Sequence, residues 1–390
     1  MFRRLLRNFH PLSGVGDVAD ILSLVIDTIP FIAIFSVISI SLNLEYGYAG
    51  LPNFGKVLPI LGGAIVAGSL VPRMIQVIFA DAPKTDYIFN NGPASVELQT
   101  YMNSHPMSSL FMMLLGMAIA ICFGAFLGYI AVLPAFKLRE DYLAITLIAI
   151  AEIFRAVNRN YDPILNGTRG VSVPDPLGWL GPKSWVYLYI SSMLLIASLL
   201  ITSYMLRTPF GRALRAMREN ELAAESLGID TRSLRVKAMV VGSAIAAAAG
   251  YIDTMYSGGL TVDKYDRYLY TFIPWLMVLM GGVGNNLGVI IGVSIYWASS
   301  RAINFYKEQI LSGISWILNL GETPVDVSWF DVTRIERLVF AVVIILILYL
   351  RPQGILPEKP IETPGYRYVA SIFREGTVRG KHVDKDSGEG

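Results

Sequence analysis

The chain has 390 residues, of which 54% are hydrophobic and 16% charged, whereas a soluble globular protein carries charge at about a quarter of its positions. Its net charge is +2, from 32 basic and 30 acidic residues, so no global field would draw nucleic acid. The scarce charge avoids several windows of about twenty residues, the length a helix needs to cross ~30 Å of hydrocarbon. Composition therefore excludes an ordinary soluble domain and predicts an all-α polytopic membrane protein.

The N-terminal segment, residues 1–20, carries Arg3, Arg4 and Arg7 ahead of an apolar stretch. That stretch is too long for a signal-peptide core and lacks an A-x-A site, so it reads as an uncleaved first span. Candidate spans follow at roughly 21–44, 57–79, 107–133, 141–157, 185–206, 236–257, 270–281, 287–306 and 335–350. The expected architecture is a bundle of about nine or ten transmembrane helices, some broken, forming one domain over 21–350. Polar loops are expected at 80–106, 158–184 and 307–334, and a flexible cytoplasmic tail over 351–390.

Lys and Arg collect on the cytoplasmic side. Segment 207–237 holds Arg207, Arg212, Arg215, Arg218, Arg232, Arg235 and Lys237, while loop 80–106 holds only Lys84. The first is therefore inside and the second outside, and the basic tail is also inside. Counting spans backwards puts Arg3, Arg4 and Arg7 outside, against the rule. The stretch EYGYAGLPNFGK (45–56) is the suspect, because its glycines and proline mark a helix broken within the membrane. Non-helical backbone is tolerated there only when packed in protein or lining a cavity.

Small residues four apart, Gly124/Gly128, Gly288/Gly292 and Ala64/Gly68, suit close helix packing. The Gly-rich stretches YAGLPNFGKVLPILGG and MGGVGNNLGVIIG resemble each other loosely, over too short a stretch to establish two repeated halves. Gly50–Val57 matches GxxxxGK but lacks the hydroxyl that would bind Mg²⁺, and Pro52 removes an N–H, so it is not read as a phosphate loop. Asn166-Gly-Thr168 reads as a turn or a glycosylation sequon. Cys122 reads as a packing residue, and His10, His105 and His382 lack metal-ligand spacing. No metal and no cofactor is expected on this chain.

Ionisable residues inside a bilayer are costly and raise functional hypotheses. Glu152 and Arg155, three apart, read as a mutually neutralising pair. Arg73 lies near a span end. Asp27 and Asp253 read either as groups facing a polar pathway or as the result of a misplaced span boundary.

FGRALRAMRENELAAESLGID (210–230) interrupts this apolar chain with two short soluble-looking helices. Thr208-Pro209 supplies an N-cap and a proline at the first helical position. Asn220 caps ELAAESL, with Glu221 in its first turn, and Gly228 supplies a left-handed stop. Asp230 or Thr231 caps the next span. The small-faced helix, Ala223, Ala224 and Leu227, fits a groove on another protein, so 208–231 reads as a docking loop rather than a bare connection.

GRALRAMRENELAAESLGID resembles the cytoplasmic loop of branched-chain amino-acid ABC-importer permeases of the LivM type. SLNLEYGYAGLPNFG (41–55), LREDYLAITLIAIAEIFRAV (138–157), NGTRGVSVPDP (166–176), VLMGGVGNNLGVIIG (278–292) and RPQGI (351–355) agree with it in order. The resemblance implies an EAA-like loop engaging an ATPase, matched here by Glu221, Ala223, Ala224 and Gly228. It also implies partners: a homologous LivH-like permease, two ATPase subunits that hold ATP and Mg²⁺, and an external solute-binding protein. The setting would be a prokaryotic plasma membrane. The chain departs from the pattern at Gly55-Lys56, where the family usually has Gly-His, and in its long loops at 80–106 and 307–334. Glu45, Tyr48, Asn53, Lys56, Asp253 and Asn285 are the candidate pathway residues, with the Gly281–Gly288 turn as a second wall. An ion-coupled secondary transporter, with Asp27 and Asp253 as coupling carboxylates, is the alternative reading.

Overall fold

A computed structural model describes residues 16–136, 138, 140–305 and parts of 341–358. The N-terminal arginines, the loop 307–334, most of the span at 335–350 and nearly all of the tail lie outside the described residues. Among the described residues five helices are long and apolar enough to cross a membrane, and one bent pair adds a sixth.

Helix α1 (Gly16–Leu42) runs into a π-helical turn, Asn43–Tyr48. Non-helical backbone follows, and α2 (Val57–Ile65), a second π turn (Val66–Leu70) and α3 (Val71–Ile78) complete the next span. The sequence places a loop over 80–106, but α4 (Asn91–Ser104) occupies half of it. Ala94, Leu98 and Met102, four apart, bury one face of α4 in the core and account for the helix. Next come α5 (Pro106–Val132), ending in a 3₁₀ turn, and α6 (Glu140–Asn160). After the short α7 (Asp162–Leu165), β1 (Val171–Ser172) pairs antiparallel with β2 (Gly259–Leu260). Helix α8 (Lys183–Arg207) leads into α9 (Pro209–Glu219) and α10 (Glu221–Ser226), and α11 (Thr231–Ser257) follows. A π turn (Tyr268–Phe272), α12 (Ile273–Gly281) and α13 (Asn286–Phe305) form a pair bent by 118°.

Helix α11 is the hub: from Ala246 to Met255 every side chain is buried. It packs on α5 and α2 through small residues. A Cβ on Gly63 would lie 1.9 Å from the Ala247 carbonyl oxygen, and one on Gly124 would lie 2.2 Å from the Ala247 Cβ. Gly128 faces Ser243 in the same way, so the predicted 124/128 pair is a backbone-contact face. Gly288 and Gly292 instead face Gly281 and Met277 across the bent pair.

Contacts fix the depth of each segment. Asp27 on α1 accepts a hydrogen bond from Ser184 at the start of α8, at 2.5 Å. Tyr48, at the far end of α1, lies under Arg215 of α9, beyond the end of α8. The helix therefore runs from the end of the bundle where α8 begins to the end that carries the basic loop 207–237. The break at 45–56 does not change the number of crossings.

Candidate functional site

Two interrupted elements meet inside the bundle. The Asn43 amide donates to Asn286 Oδ1 at 2.8 Å, and its own carbonyl accepts from the Gly284 N–H at 2.9 Å. Asn286 in turn donates to Thr202 of α8 at 3.1 Å. The first break and the turn between α12 and α13 are thus held together by buried amides. Neither Asn43 nor Asn286 stands out in the sequence as a candidate, because an uncharged polar residue in an apolar run does not announce its partner.

Three predicted pathway residues come together at the break. The Glu45 carboxylate and the Lys56 ammonium lie 2.8 Å apart, and both side chains are fully buried. The Asn53 amide donates to the second carboxylate oxygen at 2.8 Å. Around them, Gly242 of α11 leaves room for the carboxylate, since a Cβ there would lie 2.3 Å from Oε1. Trp275 of α12 stacks on Phe54 with ring centres 4.4 Å apart and donates to the Asn53 carbonyl at 3.2 Å. Such a pair is stable in low dielectric only because every charged oxygen has a donor.

The other three candidates lie elsewhere. Tyr48 belongs to a cluster at the basic loop with Leu214 and Met217 of α9, and Arg215 sits 5.4 Å over its ring. Asn285 accepts from the N–H groups of Leu287 and Gly288 at 3.1 and 3.3 Å, so it caps α13 rather than lining a wall with its carbonyl. Asp253 sits near the outer end of α11, where Lys264, Tyr265 and Tyr270 donate to its Oδ2 at 2.7, 2.8 and 2.8 Å. Burial and the neighbouring carboxylate push the Tyr265 phenol well above its ordinary pKa, so it stays a donor. Asp27 is exposed at the outer rim, shallower than the sequence suggests.

The remaining ionisable groups tie loops to helices. Arg155 grips Glu152 with two bonds of 2.8 and 2.9 Å, and Arg267 adds a third contact at 3.0 Å. Arg73 donates to the carbonyl oxygens of Pro163 and Ile164. Asn166 takes the left-handed conformation, φ 58°, that ends α7, as the turn reading expects.

At the basic loop the predicted caps form. Asn220 Oδ1 accepts from the Ala223 N–H at 3.0 Å, Asp230 caps α11 through Ser233 at 3.1 Å, and Gly228 has φ 80°. Thr208 holds the N-cap position, but its hydroxyl bonds back to the Met205 carbonyl instead. Glu221 pairs with Arg235, whose guanidinium also reaches the Ala135 carbonyl. Ala224 is buried against the bundle, whereas Leu222 and Leu227 are 76% and 81% exposed. The outward face of α10 is therefore carried by Leu222, Ala223 and Leu227, and Ala224 anchors it. The loop also touches the break: the Arg218 guanidinium donates to the Gly47 carbonyl, and Arg218 packs on Gly50. A cavity of about 670 Å³ lies between Ala49–Pro52 and Met217–Leu222.

A family model described as the permease component of branched-chain amino acid transport systems matches residues 24–348. The chain belongs to that family. This permease is 38% identical over 333 residues to the probable branched-chain amino acid transport permease protein LivM of Methanocaldococcus jannaschii, covering 85% of its own length and 92% of that relative. It is 27% identical over 259 residues to the high-affinity LivM permease of Escherichia coli, covering 59% of its own length and 54% of that protein. The probable LivH permease of M. jannaschii is 24% identical over 325 residues, with 77% and 90% covered. These likenesses make the permease LivM-type and a multi-pass membrane protein. No solved structure matches it.

Proposed function

We propose that this permease is the transmembrane subunit of an importer that moves branched-chain amino acids into a prokaryotic cell, driven by ATP hydrolysed with Mg²⁺ on separate subunits. The observation that carries the reading is the double contact of the basic loop. Leu222 and Leu227 present an apolar face to the cytoplasm, while Arg218 of the same loop holds the Gly47 carbonyl at the break. An ATPase that seats α10 thereby gains a handle on Asn43–Lys56. Closure of its dimer would bias the bundle between inward-open and outward-open states through differential contacts. A LivH-like permease would complete the pore, and an external binding protein would deliver the solute.

An ion-coupled carrier needs a carboxylate free to exchange protons or cations. Here Lys264 and two phenols hold the Oδ2 of Asp253, and Asp27 lies exposed at the rim. The deciding experiment reconstitutes the chain with its operon partners in liposomes. ATP-dependent L-leucine uptake that survives a protonophore is expected. Uphill uptake by the isolated chain, driven by an ion gradient alone, would overturn the reading.

A further inference from the structure

We propose that Glu45, Asn53 and Lys56 form the head-group subsite for the solute, and that their ion pair is the closed form of a contact that a zwitterion replaces. This rests on the transport reading above and narrows it to a place and a charge type. The pair lies where α1, α2, α11 and α12 converge, and two of the elements carrying it are interrupted. Glu45 sits on the π turn and Lys56 at the N-cap of α2, eleven residues apart and joined by non-helical backbone. Movement of the break that separates them strands both charges in a medium where an uncompensated charge is costly. One ligand satisfies both at once: a molecule whose ammonium meets Glu45 and whose carboxylate meets Lys56.

The Asn53 amide donates to the second oxygen of Glu45 and so holds in place the acceptor that the solute's ammonium would meet. Adjoining walls are apolar and aromatic, from Trp275, Phe54 and Met239, and suit an aliphatic side chain. A net anion or a net cation would satisfy only one of the two charges. A neutral amide such as urea would satisfy neither as a charge. Opening is thus favoured only when an amino-acid head group arrives, so discrimination comes from what a wrong solute leaves unpaired.

The test uses the assembled transporter and three probes with one carbon skeleton: L-leucine, leucinamide (a cation) and isocaproate (an anion). L-leucine at millimolar concentration is expected to raise the thermal midpoint of the wild-type complex, while the two analogues leave it unmoved. The double variant Glu45→Gln/Lys56→Met, which removes both charges together, is expected to lose that shift and at least tenfold of ATP-driven leucine uptake. Equal stabilisation by all three probes, no stabilisation by any, or a loss of uptake smaller than tenfold overturns the subsite. If the double variant does not assemble, the wild-type probe comparison decides alone. Failure of the transport reading looks different: the wild-type complex would then show no ATP-driven leucine uptake at all.

Discussion

Lys56 illustrates how differently one and two substitutions act in low dielectric. Lys56→Met alone leaves the Glu45 carboxylate buried with only Asn53 as donor, and breaking a buried pair this way costs about 3–5 kcal/mol. Removing both charges with Glu45→Gln/Lys56→Met removes that penalty. The single variant should therefore melt well below wild type in detergent and the double variant close to it. Equal melting of the two would mean that water reaches the pair. Glu45 and Lys56 are legible in the sequence because charges in an apolar stretch stand out, and Asn53 because it lies in the Gly/Pro-rich break between them. Asn43, Thr202 and Asn286 are not, since the Asn43–Asn286 bond joins residues 243 apart and nothing local encodes it. Asp253 is legible as buried but not as tied, because its lysine and tyrosines sit beyond a chain reversal.

Among elements, α10 separates what caps reveal from what faces reveal. Asn220, Gly228 and Asp230 mark helix ends through local hydrogen bonding, and a sequence displays such signals directly. Which alanine faces the bundle depends on the angle at which α10 returns to it, and the sequence alone does not decide between Ala223 and Ala224. Leu222→Asp and Leu227→Asp place a charge on the exposed face without touching the core. Each is expected to abolish co-purification of the ATPase subunits while leaving the permease's own melting midpoint within about a degree, as surface changes away from packing usually do. A matching loss of permease stability would move these leucines from docking to folding. Helix α4 is hidden in the sequence because its polar residues outweigh the buried row of Ala94, Leu98 and Met102.

At the scale of the whole chain, the side on which each end lies follows from contacts at opposite ends of α8. In a Cys122→Ser background, Asp27→Cys is expected to react with a membrane-impermeant maleimide added outside intact cells. Leu222→Cys is expected to react only after the cells are opened. The reverse pattern would invert the bundle. The helical class and most spans are readable from hydropathy, since lipid demands long apolar helices. The bent pair reads in the sequence as two separate spans, 270–281 and 287–306, with a turn between them, and not as one folded unit, because the 118° angle is set by glycine contacts between its arms.

That turn carries a last consequence. The Ile355 and Leu356 N–H groups donate to the carbonyl oxygens of Met280 and Gly281 at 3.0 and 2.9 Å, so these two residues tie the bend through their main chain while the Ile355 side chain packs against the core. Gly354, at φ 75°, leaves no room for a side chain, since a Cβ there would lie 2.6 Å from the Gly282 Cα, whereas the amide hydrogens at 355 and 356 do the tying. Ile355→Ala should leave the fold intact, whereas Ile355→Pro deletes a donor, strands the Met280 oxygen and should cost about 1–3 kcal/mol, read as a lower melting midpoint. The knot that closes the mouth of the hairpin is tied by two amide hydrogens, and an imino acid at 355 or 356 would undo it.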